Sequence, residues 1–302
     1  MGPLGGAVND AAIHRQIRIL KDMGCNAIRT SHNMPAPELV EACDEMGMML
    51  MVESFDEWKS AKMANGYHKI FDEWVEKDLT NLIRHYRNNP SIVMWCIGNE
   101  VPDQWNGNNG PKLSRMLQDI CHREDPTRPV TQGMDAPDAV VNNNMAAVMD
   151  VAGFNYRPHK YPENYKKLPQ QIILGSETAS TVSSRGVYKF PVVRQAMKKY
   201  DDHQSSSYDV EHCGGPICRR MTGFGMRITH GVSENLYGRA SIIWANRLLI
   251  ILIGPAILLC SVSSTWPDCP KTVTICTAVI GTKMKKRCIS FLIGHGRDVK
   301  EK

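Results

Sequence analysis

Residues 92–100 read Ile92-Val93-Met94-Trp95-Cys96-Ile97-Gly98-Asn99-Glu100 and decide the fold of this chain. Six apolar residues in a row are typical of a strand buried on both faces, as in a parallel sheet covered by helices. An amphipathic pattern over residues 72–86 predicts a helix shortly before that strand. The polar pair Asn99 and Glu100 follows where the strand should end. The stretch therefore predicts an α/β unit that delivers an amide and a carboxyl group to one edge of a sheet.

The same order of helix and then apolar strand recurs along the chain. Strands are predicted over residues 25–29, 48–52, 92–97, around 130–131, 151–154 and 171–174, and helices over residues 9–24, 36–46, 72–86, 112–121 and 136–149. This alternation predicts a parallel sheet with helical crossovers, either an open doubly wound sheet or a (β/α)8 barrel. No Gly-x-Gly-x-x-Gly or Walker-type loop opens a helix after any of these strands, which removes the usual support for the open sheet. We therefore predict a TIM (β/α)8 barrel that lacks some of its units.

Charge divides the chain near residue 213. Residues 1–213 hold 23 Lys and Arg against 27 Asp and Glu, whereas residues 214–302 hold 13 against 4. The net charge of +5 therefore comes from the tail, and the α/β part gives no electrostatic support for a nucleic-acid partner. None of the ten cysteines forms a Cys-x-x-Cys pair or has metal-finger spacing, so we interpret them as isolated thiols.

Polar residues collect where the predicted strands end. These groups are Arg29-Thr30-Ser31-His32-Asn33, Glu53-Ser54, Gly98-Asn99-Glu100, Asn155-Tyr156 and Gly175-Ser176-Glu177. In a (β/α)8 barrel the carboxyl-terminal strand ends converge on one mouth, where the catalytic groups sit. Glu100 and Glu177 come from different strands, and glycoside hydrolysis needs two such carboxyl groups, one to protonate the leaving oxygen and one to attack or to activate water.

Each of these residues has an ordinary structural interpretation when it is taken alone. A glutamate at a strand end is often a solvated loop residue or a helix cap, and His32 could be a polar core histidine. Glu53 could contact a substrate or pair with Arg29, and the pattern leaves both alternatives open. The convergence of five polar strand ends favours a functional site.

Three segments carry a family resemblance, at residues 24–33, 43–47 and 84–100. They resemble glycoside hydrolase family 2, and within it the β-galactosidase branch, in family order over roughly residues 3–213. The resemblance implies that residues 1–213 are a truncated catalytic barrel comprising units two to seven. It also implies a retaining mechanism on terminal β-galactosides or oligosaccharides, with Glu177 as nucleophile and Glu100 as acid/base. The ionised Glu177 would raise the pKa of Glu100.

Further site residues follow from the same resemblance. Asn99 would hydrogen-bond the sugar 2-hydroxyl, Arg29 would orient the nucleophile, and His32 and Tyr156 would line the sugar pocket, with Asn155 as a further substrate-binding residue. β-Glucuronidase and β-mannosidase stay open as alternatives, because the catalytic pair does not choose the sugar.

The resemblance also bears on metals. Several members of the family bind Mg²⁺ beside the acid/base through a His-containing loop. The corresponding stretch here, Glu57-Trp58-Lys59, holds no histidine. We therefore predict no metal and no cofactor.

The family normally places a β-sandwich domain and an immunoglobulin-like domain before the barrel. By this resemblance we expect Met1 to be an internal methionine. A barrel without its first and last strands has two open edges. We therefore expect a polypeptide of this sequence to be unstable or impaired in turnover.

The alternating pattern stops after residue 213, and a second domain or a shifted reading frame would explain the change. Moving the frame by one base over residues 236–247 permits F-I-W-T-G-F-D-Y-L-G-E-P, which is similar to the eighth barrel strand of the same family. We therefore predict that residues 214–302 are an aberrant, non-native or disordered tail, produced by a lost base near the codon of Gly214.

Two alternatives without catalytic activity stay open, a membrane anchor and a carbohydrate-binding module. A membrane anchor would rest on the apolar run at residues 248–262, which is shorter than the about 20 residues that a spanning helix needs. Gly254-Pro255 also interrupts that run, so we expect no membrane partner. A carbohydrate-binding module without turnover is the other alternative.

Overall fold

The computed structural model describes residues 8–22, 25–177, 186–193, 195–196, 200–204, 206–208 and 211–212. The predicted aberrant tail and its apolar run lie outside the described residues. In the part of the chain that the structure describes, no helix is both long and apolar enough to span a membrane.

Helices and strands alternate through most of the described chain. The helices are α1 (Asp10–Asp22), α2 (Pro37–Met46), α3 (Phe71–Tyr86), α4 (Gly110–Glu124), α5 (Pro137–Asn142), α6 (Met145–Val148) and α7 (Tyr161–Lys167), with 3₁₀ turns at Tyr67–Lys69, Pro102–Trp105 and Pro158–Lys160. The main strands are β1 (Ala27–Arg29), β2 (Met49–Glu53), β3 (Ile92–Asn99), β4 (Val130–Met134), β5 (Ala152–Asn155) and β6 (Ile173–Glu177). Two short strands, β7 (Gln195–Ala196) and β8 (Glu211–His212), pair with each other in parallel.

The six main strands form one parallel sheet in the order β1-β2-β3-β4-β5-β6. The sheet is curled, because side chains from its two outer strands meet: Arg29 Nη1 of β1 lies 3.3 Å from Glu177 Oε1 of β6. This architecture of six parallel strands, connected largely by helices and curled into a half-barrel, confirms the predicted partial (β/α)8 barrel.

Local signals in the sequence explain where the first helices begin and end. Asn9 caps α1, since its Oδ1 accepts a hydrogen bond of 2.9 Å from the Ala12 N–H. Pro37 occupies the first turn of α2, where a missing N–H costs nothing. Gly47 ends α2 in the left-handed conformation, with φ 65°, that glycine adopts without a steric penalty.

The core lies between the sheet and its helices. Buried side chains of α1 (Ile13, Ile17 and Leu20) and of β2 (Leu50, Met51 and Val52) belong to one apolar cluster that runs through the described barrel. Trp58 is fully buried at the edge of this cluster, and its indole N–H donates a 2.8 Å hydrogen bond to the Ile97 carbonyl. The cluster packs along the strands, and the polar groups lie at the carboxyl ends of these strands.

One predicted helix and three predicted strands differ from the structure in their bounds. The helix predicted over residues 136–149 is two short helices, α5 and α6, because Asn144 takes a left-handed conformation with φ 64° between them. Strands β3, β4 and β6 extend beyond the predicted apolar runs, so that Asn99 and Glu177 are the last residues of their strands.

Candidate active site

Glu100 and Glu177 lie at the same end of the sheet. Glu177 is the last residue of β6 and is buried, and Glu100 follows β3 directly and is partly buried. The backbone of Glu100 is left-handed, with φ 45°, and its N–H donates a 2.7 Å hydrogen bond to the Gly133 carbonyl. The Glu100 carboxyl accepts a 2.8 Å hydrogen bond from Asn155 Nδ2. The end of β3 therefore turns sharply and directs this carboxyl toward β5.

Three side chains surround the Glu177 carboxyl. Arg29 Nη1 lies 3.3 Å and His32 Nε2 lies 3.4 Å from its Oε1. The Tyr156 hydroxyl donates a 2.6 Å hydrogen bond to its Oε2. Both oxygens of Glu177 are thus held by groups from β1, the loop after β1 and the end of β5, and all three groups were predicted from the sequence as site residues.

Arg29 is the hub of the site and is fully buried. Its Nη2 donates to Glu53 Oε1 at 2.7 Å and to Asn99 Oδ1 at 3.0 Å. Glu53 is also fully buried, and its second oxygen lies 3.1 Å from His32 Nδ1. Of the two interpretations left open for Glu53, the structure shows the ion pair with Arg29.

Asn155 connects the two halves of the site. Its Nδ2 donates to Asn99 Oδ1 at 3.0 Å as well as to Glu100, and its Oδ1 accepts a 2.6 Å hydrogen bond from the Ser176 hydroxyl. A continuous chain of contacts therefore runs from Glu177 through Arg29, Asn99 and Asn155 to Glu100. All seven sequence-predicted site residues, Glu100, Glu177, Arg29, His32, Asn99, Asn155 and Tyr156, lie in this one network.

Gly133 makes this convergence possible. A Cβ atom at this position would lie 2.9 Å from Arg29 Nη2, from Asn99 Oδ1 and from Asn155 Oδ1. Real Cβ atoms do not approach other atoms so closely, so any other residue would displace part of the network. The absent side chain on β4 leaves the space in which groups from β1, β3 and β5 meet.

Sequence reasoning missed three further polar residues around Glu100. Asp135 follows β4 directly, and the same strand-end rule that selected Glu100 could have found it. Asp56 and Lys62 lie in the loop after β2, where no periodicity marks a position. Asp56 Oδ1 accepts from Asn99 Nδ2 at 3.2 Å, and Lys62 Nζ donates to the Asn99 carbonyl at 3.1 Å.

Burial dominates the acid strength of both carboxyl groups. It raises the pKa of Glu177 to about 7; the Arg29 guanidinium opposes this shift, and the negative charge of Glu100 adds to it. Burial also raises the pKa of Glu100, the hydrogen bond from Asn155 lowers it, and the charge of Asp135 raises it further. The pKa of Glu100 is thus raised, as predicted, but burial, and not the charge of Glu177, is the main cause.

No metal cluster is found among the residues that the structure describes, where no three or more His, Cys, Asp and Glu side chains are grouped to hold an ion. Glu57 contacts a histidine from later in the chain, with His68 Nδ1 at 2.5 Å from its Oε1, and its Oε1 also accepts the Lys62 N–H at 2.8 Å. These contacts fold the loop after β2 back on itself. The absence of a metal stays a prediction.

Two carboxyl groups at the carboxyl-terminal mouth of a parallel α/β barrel, braced by arginine, tyrosine and asparagine, define the class of site that glycoside hydrolases use. Residues 3–213 match the family model described as "Glycosyl hydrolases family 2, TIM barrel domain". This chain belongs to glycoside hydrolase family 2.

Individual relatives agree with this assignment. The β-galactosidase BoGH2A of Bacteroides ovatus is 36% identical over 252 residues, which cover 72% of this chain and 30% of that protein. A β-glucuronidase of Bacteroides fragilis is 25% identical over 199 residues, which cover 65% of this chain and 26% of that protein. The chain therefore spans less than a third of the length of these curated relatives.

Solved structures show the same fold. The crystal structure of a β-glycosidase from Bacteroides vulgatus matches 76% of this chain and 31% of its own, with a TM-score of 0.60 and 33% sequence identity. A glycosyl hydrolase family 2 member from Bacteroides cellulosilyticus matches 61% of this chain and 23% of its own, with a TM-score of 0.55 and 35% identity.

Proposed function

We propose that this chain carries the catalytic site of a retaining glycoside hydrolase that cleaves terminal β-galactosides. The observation that carries the proposal is the continuous network joining Glu177 to Glu100 through Arg29, Asn99 and Asn155. Two carboxyl groups held in one network at a barrel mouth suit the double displacement of glycosidases, in which one attacks the anomeric carbon and the other protonates the leaving oxygen bonded to that carbon.

In the first step the Glu177 carboxylate attacks the anomeric carbon. The bond from that carbon to the leaving-group oxygen breaks, and Glu100 donates its proton to this oxygen. In the second step Glu100, now a carboxylate, removes a proton from water as the water oxygen attacks the same carbon. The bond to Glu177 breaks, the free sugar leaves with its original configuration, and both side chains return to their starting states.

The surroundings of each glutamate suit its assigned role. Arg29 and Tyr156 place a cation and a hydroxyl donor on the two oxygens of Glu177, which stabilises its ionised form and orients it. Burial raises the pKa of Glu100, which favours the protonated form that an acid needs. Because the pKa of Glu177 is about 7, we expect the rate of attack to rise as the pH rises through neutrality and the carboxylate forms.

The galactoside is supported by the relative of 36% identity, which is a β-galactosidase. The second candidate is a β-glucuronide, because a further relative of this barrel is a β-glucuronidase. A β-mannoside is the third alternative within the family. The two leading sugars differ in the configuration of the 4-hydroxyl and at carbon 6, where a glucuronide carries a carboxylate and a galactoside a neutral hydroxymethyl group, so paired reagents can separate them.

The test traps the glycosyl-enzyme, since this needs only the first step and tolerates slow turnover. The full chain is incubated with 2-deoxy-2-fluoro-β-galactosyl fluoride, whose ring fluorine slows hydrolysis of the intermediate, or with the matching glucuronyl fluoride. We expect the galactosyl reagent to add one fluorosugar to Glu177, as located by peptide mass spectrometry. Glu177→Gln should abolish the label, and Glu163→Gln, on the surface of α7, should leave it unchanged. A folded chain that takes no label, or takes it on another residue, would contradict the mechanism.

A further inference from the structure

The peptide group between Asn99 and Glu100 is held at both of its polar atoms. The Asn99 carbonyl accepts a 3.1 Å hydrogen bond from Lys62 Nζ, and the Glu100 N–H donates a 2.7 Å hydrogen bond to the Gly133 carbonyl. Glu100 has a left-handed backbone, a conformation that costs energy in a residue with a side chain. The two hydrogen bonds offset this cost and fix the direction in which the Glu100 carboxyl leaves the strand.

Lys62 is itself anchored by Asp56. Its Nζ lies 2.7 Å from Asp56 Oδ1 and donates to the Asp56 carbonyl at 3.3 Å. The same Asp56 oxygen accepts from Asn99 Nδ2 at 3.2 Å. The Lys62–Asp56 pair therefore makes two hydrogen bonds to Asn99, one to its carbonyl and one to its side-chain amide. Asn99 immediately precedes the glutamate assigned as acid/base.

We propose that Lys62, anchored by Asp56, is a positioning residue that holds the Asn99–Glu100 peptide so that the Glu100 carboxyl meets the leaving-group oxygen. This inference rests on the proposed function, because it concerns proton donation by Glu100. Lys62 acts through the peptide and need not touch the sugar, so its effect falls on the step that uses the Glu100 proton.

The charges around Glu100 agree with such a role. Asp135 after β4 and burial raise the pKa of Glu100, whereas Lys62 and His32 lower it. The Lys62 ammonium thus opposes the rise in the pKa of Glu100 and makes the Glu100 proton easier to transfer. The Lys62–Asp56 pair is partly exposed, with side chains 27% and 39% accessible, and such pairs contribute little to stability. Catalysis should therefore respond to its loss more than folding does.

The experiment compares a poor and a good leaving group in single turnovers, with the full chain in excess over substrate. Phenyl β-galactoside needs its leaving oxygen protonated, and 2,4-dinitrophenyl β-galactoside does not. We expect Lys62→Met to slow phenol release about 10- to 100-fold and dinitrophenolate release by less than about threefold. Lys62→Arg should recover most of the phenol rate, because it restores a cation of similar reach.

The matched control is Lys59→Met, since Lys59 lies in the same loop and pairs with Asp72 at 2.7 Å on the surface. This control should hydrolyse both substrates at the wild-type rates. Asp56→Asn provides a second route to the same result, because it removes the charge that anchors Lys62 and keeps the side-chain size. It should show the same selective loss with phenyl β-galactoside.

Two outcomes would overturn the inference in distinguishable ways. Equal slowing of both substrates by Lys62→Met and Asp56→Asn, or no slowing by either, would remove the positioning role and leave the proposed function standing. If the wild-type chain releases no dinitrophenolate and takes no label on Glu177, the proposed function fails, and this inference fails with it.

Discussion

Two networks in this molecule pair arginine with glutamate in opposite surroundings. The first lies in the barrel mouth, where Arg29 contacts Glu53 at 2.7 Å and Glu177 at 3.3 Å. None of these three side chains is more than 3% exposed. One guanidinium therefore faces two carboxyl groups in a space from which water is largely excluded.

The second network lies on the outer face of α3 and α4. Arg84 contacts Glu124 at 2.7 Å, and Arg123 contacts Glu76 at 2.9 Å. Arg84 is 61%, Arg123 51% and Glu76 64% exposed, so water competes for these charges, whereas the Glu124 carboxyl that both arginines contact is only 6% exposed. Apart from Glu124, these side chains are part of a solvated helix surface.

The comparison indicates that the burial of such a network, and not the arginine–glutamate pairing itself, determines how strongly it affects the free energy of folding. On the surface, solvent screening limits the contribution of each exposed pair to the free energy of folding to about 0–1 kcal/mol. In the mouth the desolvation of each charge must be matched by its partners, and removing one partner leaves another charge uncompensated. The buried network therefore couples the stability of the fold to the protonation of its carboxyl groups.

The largest expected effect is the loss of the buried cation. Arg29→Met keeps most of the side-chain volume and leaves Glu53 and Glu177 without their guanidinium, so the free energy of unfolding should fall by about 3–5 kcal/mol. Urea unfolding of the full chain at neutral pH measures it, with Arg84→Met on the surface as the matched control. Similar losses in the two variants would show that burial does not separate the networks.

The next effect concerns pH. The pKa of Glu177 is about 7 in the folded chain and about 4.3 in an unfolded one, so between these values the folded state keeps a proton that the unfolded state has lost. Glu177 therefore makes the free energy of unfolding fall as the pH rises through this window, by up to about 4 kcal/mol.

Glu177→Gln cannot titrate and should lack this contribution. Subtracting its unfolding free energies from those of the wild-type chain, between pH 4.5 and 7.5, isolates the effect of this one carboxyl group from all other acids. Identical pH dependence in the two chains would mean that the surroundings of Glu177 do not hold its proton.

A smaller effect should follow from filling the centre of the buried network. Gly133→Ala places a methyl group 2.9 Å from Arg29, Asn99 and Asn155, and such overpacking costs about 1–3 kcal/mol. Gly107→Ala is the matched control, because its Cβ would meet only Asn143 Cβ, at an ordinary 3.5 Å. Thermal unfolding compares the two variants, and we expect Gly133→Ala also to slow labelling of Glu177. Equal melting temperatures would contradict the crowding.

The smallest effect lies on the surface. Arg123→Met should lower the free energy of unfolding by about 0.2–1 kcal/mol at low salt, and about 1 M NaCl should remove most of this difference because salt screens exposed charges. Urea titrations at both salt concentrations test this expectation. A loss that persists at high salt would indicate that the α3–α4 pairs are more shielded than their exposure indicates.

Much of the site was predictable because parallel strands impose a simple rule. Each strand needs an apolar run, and its carboxyl end must lie at the common mouth, so Glu100 and Glu177 could be placed together from two short patterns. The same rule located Arg29, His32 and Tyr156. The extent of β4 was predicted least well, since its predicted core of two residues stopped short of Gly133 and Asp135.

The remaining features depend on contacts that no local pattern encodes. Lys62 and Asp56 sit in an irregular loop whose path is set by side-chain hydrogen bonds to β3. The alternatives for Glu53 could be decided only by the position of Arg29 inside the barrel. The pKa of Glu177 depends on how completely the mouth excludes water, which is a property of the assembled sheet.

Arg29 and Glu177 belong to the first and last strands of the six-stranded sheet, with four strands between them, yet their side chains touch. The distance from Arg29 Nη1 to Glu177 Oε1 therefore depends on the curvature of the sheet. We expect a slight flattening of the sheet to lengthen this distance without breaking the hydrogen bonds between the strands. Far-ultraviolet circular dichroism would register no change, but Glu177, the proposed nucleophile, would have lost its contact with the Arg29 guanidinium. The chemistry proposed for this chain therefore depends on the curvature of the whole sheet, and we expect it to be lost when the sheet flattens, before the backbone unfolds.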